Sequence, residues 1–370
     1  MYFNKDVTRF VAEIEEALKP AYEKIEALVF ANQNKVLSAF KRNRLSERHF
    51  NETTGYGYSD DGREITDKIY ADVLDAQAAL VRTQFFSGTH AITTALFGVL
   101  RPGDNFISIT NAPYATVKTA VLSDQVSGTL KEFGIGYKQV DLRPDGSIDY
   151  DKVFAMIDRQ TKLIYLQRST GYDDRKAIGI SEIAETVEKI KQYDENLLVF
   201  VDNCYGEFLE EVEPTGVGVD FMAGSLIKNI GGGLAKTGAY IAGREEIVDM
   251  CAQRINAPGI GAESGSNLGQ VRTILQGLFL APKVTGEALK NAMLVGCCFD
   301  KLGYRVYPTP LDKRSDIIQA IVLKDKQQVL TFCKAVQEIS PVDSYVTPEA
   351  RGMPGYDSNV IMAAGCFIQG

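Results

Sequence analysis

The segment GSLIKNIGGGLAKTGAYIAG (224–243) places one amine between apolar residues and a run of glycines. Lys228 follows two apolar residues, whereas most lysines lie on exposed helices among other polar side chains. The glycines at 231–233 favour a loop with unusual backbone angles, and GAYIAG (238–243) has the pattern of a strand. Two interpretations follow. Either the loop is a tight turn that carries a lysine by chance, or the amine is required there for chemistry.

Strand-like and helical patterns alternate through the middle of the chain. Apolar runs occur at 105–110 and 162–169, within 197–208, and at 238–243, with helical patterns such as ISEIAETVEKIKQY (180–193) between them. This alternation predicts an α/β fold with a mostly parallel sheet covered by helices on both faces. Ligands of such sheets bind outside the carboxyl ends of the strands. The polar residues that follow apolar runs are expected to converge there: Tyr114, Ser169, Asp202 and Lys228.

Changes in this pattern predict the domain limits. Residues 1–50 are expected to form a helical segment, 51–285 a large cofactor-binding α/β domain, and 286–370 a smaller α+β domain. Within the large domain, ITDKIYADVLDAQAAL (65–80) is predicted as one helix. The chain ends inside a strand-like run, IMAAGCFIQG (361–370), so we expect a C-terminal piece of the small domain to be missing.

Composition narrows the class of protein. The chain has 370 residues, 45% of them hydrophobic, which is enough for a large core. Its net charge of -8 argues against a nucleic-acid or anionic membrane surface, and no apolar run approaches the ~20 residues of a membrane span. Six cysteines without C-x-x-C pairs indicate reduced thiols in a cytoplasmic protein. With two histidines, neither a histidine metal site nor a Ser-His-Asp triad is expected.

The side chains expected at the strand ends suit one cofactor, pyridoxal 5′-phosphate (PLP). The Lys228 amine can bond covalently to its aldehyde. Asp202 ends a buried strand, and a buried carboxylate needs a cationic partner such as a protonated pyridine nitrogen. Tyr205 can pack beside the ring or donate a hydrogen bond to its phenolate oxygen.

The phosphate of PLP needs an anion site, and two segments can supply it. SGTHA (87–91) opens a predicted helix, so the free N–H groups of its first turn, around Gly88 and Thr89, suit a phosphate. Ser225 can donate to the same anion from the lysine turn. Lys236 can return to it once the glycine loop turns the chain.

Two short motifs, VDNCY (201–205) and SLIKN (225–229), resemble the fold-type I PLP enzymes. In that superfamily an Asp, an aromatic residue three positions later and an S-x-x-K motif recur, followed by a basic residue eight positions after the lysine. Asp202, Tyr205 and Lys236 match that pattern. The resemblance implies a three-layer PLP-dependent transferase fold of the aspartate aminotransferase type.

Longer stretches are similar to the aluminium-resistance or methionine γ-lyase-like family of carbon–sulfur lyases. They include TGYGYSDDGRE (54–64), FFSGTHAITTALFGVLRPGD (85–104) and QGLFLAPKVTGEALK (276–290), besides the segment that carries Lys228. The similarity runs from about Leu45 to the end of the chain.

The resemblance also implies roles for three tyrosines. In the Cys/Met-metabolism enzymes, a tyrosine after the strand that follows the phosphate helix stacks on the PLP ring and assists proton transfer. This role points to Tyr114. A tyrosine-bearing loop of the same enzymes reaches the phosphate of the neighbouring subunit, which points to Tyr56 and Tyr58. A homodimer or tetramer with shared sites is therefore expected.

Two departures from the family bear on the substrate. The family usually continues after QRS (167–169) with Arg-Gly-Tyr and Ser-Trp-Arg segments, whereas this chain has STGYDDRKAIGI (169–180). This difference suggests the loss of a substrate contact. Related enzymes bind the substrate α-carboxylate with an arginine of the C-terminal domain, for which Arg168 and Arg351 are the candidates. His90 either lines the site or packs against its helix neighbours.

The resulting prediction is a PLP-dependent carbon–sulfur lyase of the cystathionine β-lyase or methionine γ-lyase type. Its substrate would be a sulfur-containing amino acid, and its products a thiol, a 2-oxo acid and ammonia. Lys228 or Tyr114 would remove the Cα proton. Three alternatives stay open: a PLP-dependent aminotransferase, a retro-aldol enzyme, and a protein that binds PLP without turnover.

Overall fold

A seven-stranded sheet lies at the centre of the computed structural model, which describes residues 4–353, 356, 358–363 and 365–368. The strands are β1 (Ala78–Arg82), β2 (Asn105–Ser108), β3 (Gly136–Gln139), β4 (Thr161–Gln167), β5 (Leu198–Asp202), β6 (Phe221–Ser225) and β7 (Ala239–Gly243). Their spatial order is β1-β7-β6-β5-β4-β2-β3. Strand β7 is antiparallel to both neighbours, and every pair from β6 to β3 is parallel. The expected mostly parallel sheet is confirmed.

Helices cover both faces of the sheet. They are α1 (Lys5–Arg42), α2 (Asp61–Val73), α3 (Gly88–Val99), α4 (Ala115–Leu122), α5 (Tyr150–Met156), α6 (Ile180–Tyr193), α7 (Glu245–Ile255), α8 (Val271–Lys301) and α9 (Lys326–Ile339). Apolar residues of α3, α4 and α7 form the core on one face, and those of α2, α5, α6 and α8 form the core on the other. The architecture therefore has three layers.

Strand β5 shows why the sequence of a central strand is almost continuously apolar. Leu198 and Phe200 belong to the core beneath α3, and Val199 and Val201 belong to the core on the opposite face. Side chains of a strand alternate between faces, so a strand covered on both sides needs apolar residues at every position. Asp202, its last residue, is the polar exception.

The helix predicted over 65–80 is wrong in its second half. Helix α2 ends at Val73, and Asp75 has a positive φ of 52°, a left-handed conformation that stops a helix. The residues from Ala78 to Arg82 instead pair with β7. Short apolar runs fit a helix or a strand equally well, and here the pairing partner lies about 160 residues further along the chain.

The two longest helices, α1 and α8, pack against each other. Helix α1 packs along α8 through an apolar cluster that includes Ile14, Leu18 and Leu289. The predicted domain limit at 285 and 286 falls inside α8, and the limits themselves stay a prediction. Beyond α8, β8 (Arg305–Tyr307) and β9 (Ala320–Val322) form an antiparallel pair.

The predicted C-terminal strand is wrong where the chain is described, because residues 361–363 and 365–368 form no strand; Ala364, Gln369 and Gly370 lie outside the described residues. Among the helices that the structure describes, none is long and apolar enough to cross a membrane.

Candidate active site

A cavity of about 200 Å³ opens where β4, β5 and β6 end, beside the first turn of α3. Gln167, Asp202 and Ser225, the last residues of these three strands, all line it. The position agrees with the general rule for ligands of open α/β sheets. Eight residues expected at the site from the sequence meet there: Gly88, Thr89, Tyr114, Ser169, Asp202, Tyr205, Ser225 and Lys228.

Lys228 lies in the turn that leaves β6, and its Nζ stands 3.6 Å from the centroid of the Tyr205 ring. The glycines that follow it have a packing role. A Cβ at Gly231 would overlap the carbonyl oxygen of Leu226. On the facing helix α8, a Cβ at Gly277 would overlap the carbonyl oxygen of Gly231. The glycine run thus lets the lysine turn pack directly on the backbone of α8.

The amine of Lys228 is held as a cation. Burial alone lowers the pKa of a lysine, but the neighbouring Cys204, Tyr205 and Asp202 oppose this effect and raise the Lys228 pKa overall. Among the described residues that line the cavity, Lys228 is the only one with a cationic side chain.

Asp202 is a buried acid with few polar partners. Its side chain accepts hydrogen bonds from the Cys204 N–H at 3.1 Å and the Tyr165 hydroxyl at 3.4 Å. Burial raises the pKa of Asp202, while Cys204, Lys228 and Tyr165 partly oppose the rise. A carboxylate in such surroundings is stabilised by a cation. Because Asp202 lines the cavity, a cationic ligand atom has room to lie beside its carboxylate.

The turn after β5 is strained. Tyr205 and Phe208 have φ values of 67° and 64°, in the left-handed region that bulky residues rarely adopt. Each such residue costs about 1–2 kcal/mol, so the surrounding contacts must hold it in place. The result of this conformation is the contact between the Tyr205 ring and the Lys228 amine.

The first turn of α3 also lines the cavity. Ser87 caps the helix, its Oγ accepting from the backbone N–H three residues later at 3.1 Å. The N–H groups of Gly88 and Thr89 have no intrahelical acceptor, as at the start of any α-helix. Thr89 and Thr116 share a hydroxyl hydrogen bond of 2.6 Å. Ser225 lies beside this turn. A Cβ added to Gly88 would be 3.3 Å from the Ser225 Cβ.

Three tyrosines from separate segments contact one another, and two of them, Tyr114 and Tyr356, line the cavity. The Tyr114 N–H donates to Gln167 Oε1 at 2.5 Å, and its hydroxyl lies 2.5 Å from that of Tyr356. The Tyr172 ring contacts both, with centroids 5.7 Å from Tyr114 and 5.8 Å from Tyr356. Burial, with the hydrogen bond to Tyr356, raises the pKa of Tyr114. Tyr114 is therefore a neutral phenol that can donate a hydrogen bond but holds its proton tightly.

Three predicted site residues lie outside the cavity of their own chain. Lys236 is exposed beyond the glycine run, and its contact with a phosphate stays a prediction. Tyr56 and Tyr58 are 75% and 59% exposed and stack on each other with centroids 5.5 Å apart. The Gly265 N–H donates to the Tyr56 carbonyl at 2.8 Å, which anchors this loop. Their contact with a second subunit also stays a prediction.

Neither arginine candidate for the substrate carboxylate lines the cavity. Arg168 is fully buried, with its guanidinium 2.9 Å from Asn203 Oδ1 and 3.3 Å from a Glu210 oxygen. Arg351 is exposed and forms a backbone bridge with Val360. Arg168 therefore forms contacts inside the protein, and the structure does not support its predicted contact with a substrate.

Two alternatives were expected for His90, lining the site or packing against its neighbours, and the structure shows the second. Its ring lies 5.4 Å from that of Phe85 and 5.5 Å from that of Phe86, and Nδ1 accepts the Phe86 N–H at 3.2 Å.

Three residues with polar side chains line the cavity without having been predicted from the sequence: Thr116, Gln167 and Tyr356. Gln167 ends β4, so the strand-end rule that selected Asp202 also selects it. Thr116 follows two residues after Tyr114. Tyr356 carried no local signal, because it reaches Tyr114 from 242 residues further along the chain.

Comparison with solved structures defines the fold class. A "putative O-acetylhomoserine (thiol)-lyase" of Campylobacter jejuni superposes with a TM-score of 0.56 at 19% identity, over 78% of this chain and 77% of that one. That structure contains a phosphopyridoxyl-lysine. The chain thus has the α/β fold of the fold-type I PLP enzymes, as its motifs imply.

The chain belongs to the methionine gamma-lyase family, whose model matches residues 7–370. It is 48% identical to the uncharacterized protein YnbB of Bacillus subtilis, over 97% of this chain and 86% of that protein. A Listeria monocytogenes structure named a "putative cystathionine beta-lyase involved in aluminum resistance" has a TM-score of 0.96 at 45% identity, over 98% and 90% of the two chains. A carbon-sulfur lyase involved in aluminum resistance from Clostridium novyi NT has a TM-score of 0.95 at 44% identity, over 99% and 87%.

Proposed function

We propose that this chain is a PLP-dependent carbon–sulfur lyase that carries its cofactor covalently on Lys228. The observation that supports the proposal most directly is one cavity that joins an amine, a buried carboxylate and a helix N-terminus. The aldehyde, ring nitrogen and phosphate of PLP require these three groups. Membership in the methionine gamma-lyase family supports a sulfur-containing amino acid as the substrate.

The cavity residues fit this cofactor group by group. The Lys228 amine would take the aldehyde, and Asp202 would accept a hydrogen bond from the protonated ring nitrogen. The N–H groups of Gly88 and Thr89, with the Ser225 hydroxyl, would hold the phosphate. The ionised carboxylate would then gain the cationic partner that its burial demands.

When bound, PLP accepts the electron pair that remains after a bond to the substrate Cα breaks. Asp202 keeps positive charge at the ring nitrogen and so stabilises the charge that develops. Lys228, once the substrate amine has displaced it, would carry the Cα proton and deliver it to the departing sulfur. Tyr114, a neutral phenol, would donate a hydrogen bond to that sulfur. The thiol leaves from Cβ or Cγ, and hydrolysis of the remainder yields a 2-oxo acid and ammonia.

We further propose a homodimer or tetramer in which each site is completed by a second subunit. The exposed, stacked pair Tyr56 and Tyr58 supports this arrangement, because large aromatic side chains gain from burial in an interface. A cytoplasmic location is supported by six free cysteines.

Reduction of the purified protein with borohydride after incubation with PLP tests the cofactor assignment. We expect a yellow protein whose absorbance band is bleached, with the added phosphopyridoxyl mass on the peptide that contains Lys228. Lys228→Ala should abolish this label, and Lys24→Ala, at an exposed lysine of α1, should retain it. Wild-type protein that takes up no PLP would end the proposal.

The reaction class is tested with a panel of amino acids. Cystathionine, cysteine and methionine should yield 2-oxo acid and thiol in step with ammonia. Transfer of the amino group to an added oxo acid without thiol would indicate an aminotransferase, and release of glycine from threonine would indicate an aldolase. Bound PLP without turnover across the panel would indicate a binding protein.

A further inference from the structure

A buried polar cluster lies next to the cavity and plays no part in the chemistry proposed above. Glu207 is fully buried, and the Tyr240 hydroxyl donates to its Oε1 at 2.9 Å. The Asn203 amide donates to the Tyr240 oxygen at 3.3 Å and to Glu213 Oε2 at 3.2 Å. These side chains form one connected network in the protein interior.

This cluster includes or contacts the residues that are adjacent in sequence to three cavity residues. Asn203 directly follows the cavity aspartate. Asn229 follows the cavity lysine, and its Nδ2 donates to the Glu207 carbonyl at 3.2 Å. Gly224 precedes the cavity serine, and a Cβ there would lie only 2.6 Å from Glu207 Oε1. A substitution in the cluster is therefore transmitted to the backbone on which the cavity is built.

The charges of the cluster leave Glu207 without a cation. Arg168 pairs with Glu210 at 3.3 Å and approaches Glu213 at 3.7 Å. Burial, with a contribution from Glu213, raises the pKa of Glu207 to about 8. Its Oε2 has no hydrogen-bond partner among the described residues. The titratable and charged groups that face it are Tyr70, Arg168, Cys204, Glu213 and Tyr240.

The position of Glu207 within its turn indicates what the cluster does. Tyr205 and Phe208, on either side of it, both have left-handed backbone conformations. The Phe208 N–H is held by Glu213 Oε1 at 2.9 Å, whereas Glu207 is held through its side chain by Tyr240. Without these bonds the turn can relax to ordinary backbone angles.

We propose that Glu207 is a positioning residue that, through Tyr240, holds the strained turn and thereby fixes the Tyr205 ring beneath the Lys228 amine. The inference rests on the proposed cofactor, because ring and amine flank the place where it would bind. Glu207 itself does not line the cavity.

The test uses the full chain with Glu207→Leu, Tyr240→Phe and Glu207→Gln, and Glu211→Gln as an exposed control. Two quantities are measured: the dissociation constant for PLP by absorbance, and amide hydrogen exchange of the peptide 203–209 without PLP. We expect Glu207→Leu to weaken PLP binding roughly tenfold, the effect of one buried hydrogen bond. It should also accelerate exchange in that peptide while leaving α6 unchanged. Glu207→Gln should rescue both quantities, because its amide oxygen can still accept from Tyr240.

Tyr240→Phe removes only a hydroxyl and should change both quantities in the same direction, which keeps the test valid if Glu207→Leu does not fold. Wild-type exchange and affinity in Tyr240→Phe would overturn the proposal, as would a Glu207→Gln variant as impaired as Glu207→Leu. Wild-type protein that binds no PLP would end the proposed function. In that case the exchange of 203–209 still decides whether Glu207 positions the turn.

Discussion

Asp202 and Glu207 are acids five positions apart, and burial raises the pKa of both. Asp202 lines the cavity, where hydrogen bonds and the Lys228 amine partly oppose the rise. Glu207 faces a phenol and another carboxylate, and both burial and Glu213 favour its neutral form. We therefore expect Asp202, at the end of β5, to bind a cation and Glu207, in the turn that follows, to hold its own backbone.

The raised pKa of Glu207 predicts a pH-dependent loss of stability. Its pKa rises from an ordinary value of 4.5 to about 8 on folding, so between these pH values the folded state holds a proton that the unfolded state has released. The stabilisation that this proton gives the folded state is complete below pH 4.5 and is lost as the pH rises to about 8. Over that range the free energy of unfolding falls by about 1.4 kcal/mol per pH unit. Urea midpoints of wild type and Glu207→Gln at pH 5, 6, 7 and 8 should diverge in favour of the variant. A difference independent of pH would contradict the prediction.

At the scale of elements, the turn after β6 that carries Lys228 both packs against a helix and positions the amine. Its backbone packs on α8 through Gly231 and Gly277, and the Gly231 N–H donates to the Lys228 carbonyl at 3.1 Å. The position of the amine is thus set by the contact of a loop with a helix on the sheet face.

Gly231→Ala should therefore disturb both stability and cofactor binding. The new methyl group would overlap the backbone carbonyl of Leu226, which cannot move aside as a flexible side chain could. We expect a loss of about 3 kcal/mol, at the upper end of overpacking costs. Urea midpoints and PLP trapping on Lys228 measure the two effects. Gly352→Ala, where the nearest atom would be 3.8 Å away, is the control, and equal midpoints for both variants would contradict this account.

At the scale of the whole molecule, the cavity is built from segments that are distant in the chain. It combines the first turn of α3, three strand ends, the lysine turn, and Tyr356 from beyond α9. The exposed pair Tyr56 and Tyr58 lies outside it and is available to another copy. A second subunit is therefore the expected source of the remaining contacts with a phosphate.

Mixing two inactive variants tests this shared site. Lys228→Ala subunits retain the tyrosine loop, and subunits with Tyr56→Ala and Tyr58→Ala retain the lysine. Random exchange makes half of the dimers mixed, each with one intact site, so about a quarter of wild-type activity should return. Lyase activity before and after subunit exchange is the measurement. Activity no greater than that of the separate variants would show that the site belongs to one chain.

Local patterns were sufficient for much of this site, for physical reasons. Asp202 and Lys228 follow strongly apolar runs, and the geometry of parallel strands brings such positions to one edge of the sheet. The same rule identifies Gln167 in retrospect. Glu207 escaped it because it lies five residues beyond the end of β5, where a glutamate is ordinarily exposed, and only packing removes it from water.

By itself, the order of apolar runs, glycines and reactive side chains determined the layered α/β fold and the amine, acid and helix turn of the candidate site. These features depend on contacts between neighbours in sequence or on the fixed geometry of parallel strands. The tertiary structure alone decided that Ala78–Arg82 is a strand, that Arg168 is internal and that Tyr356 meets Tyr114. Each of these outcomes depends on partners far away in the chain, whose contacts exist only after the chain has folded.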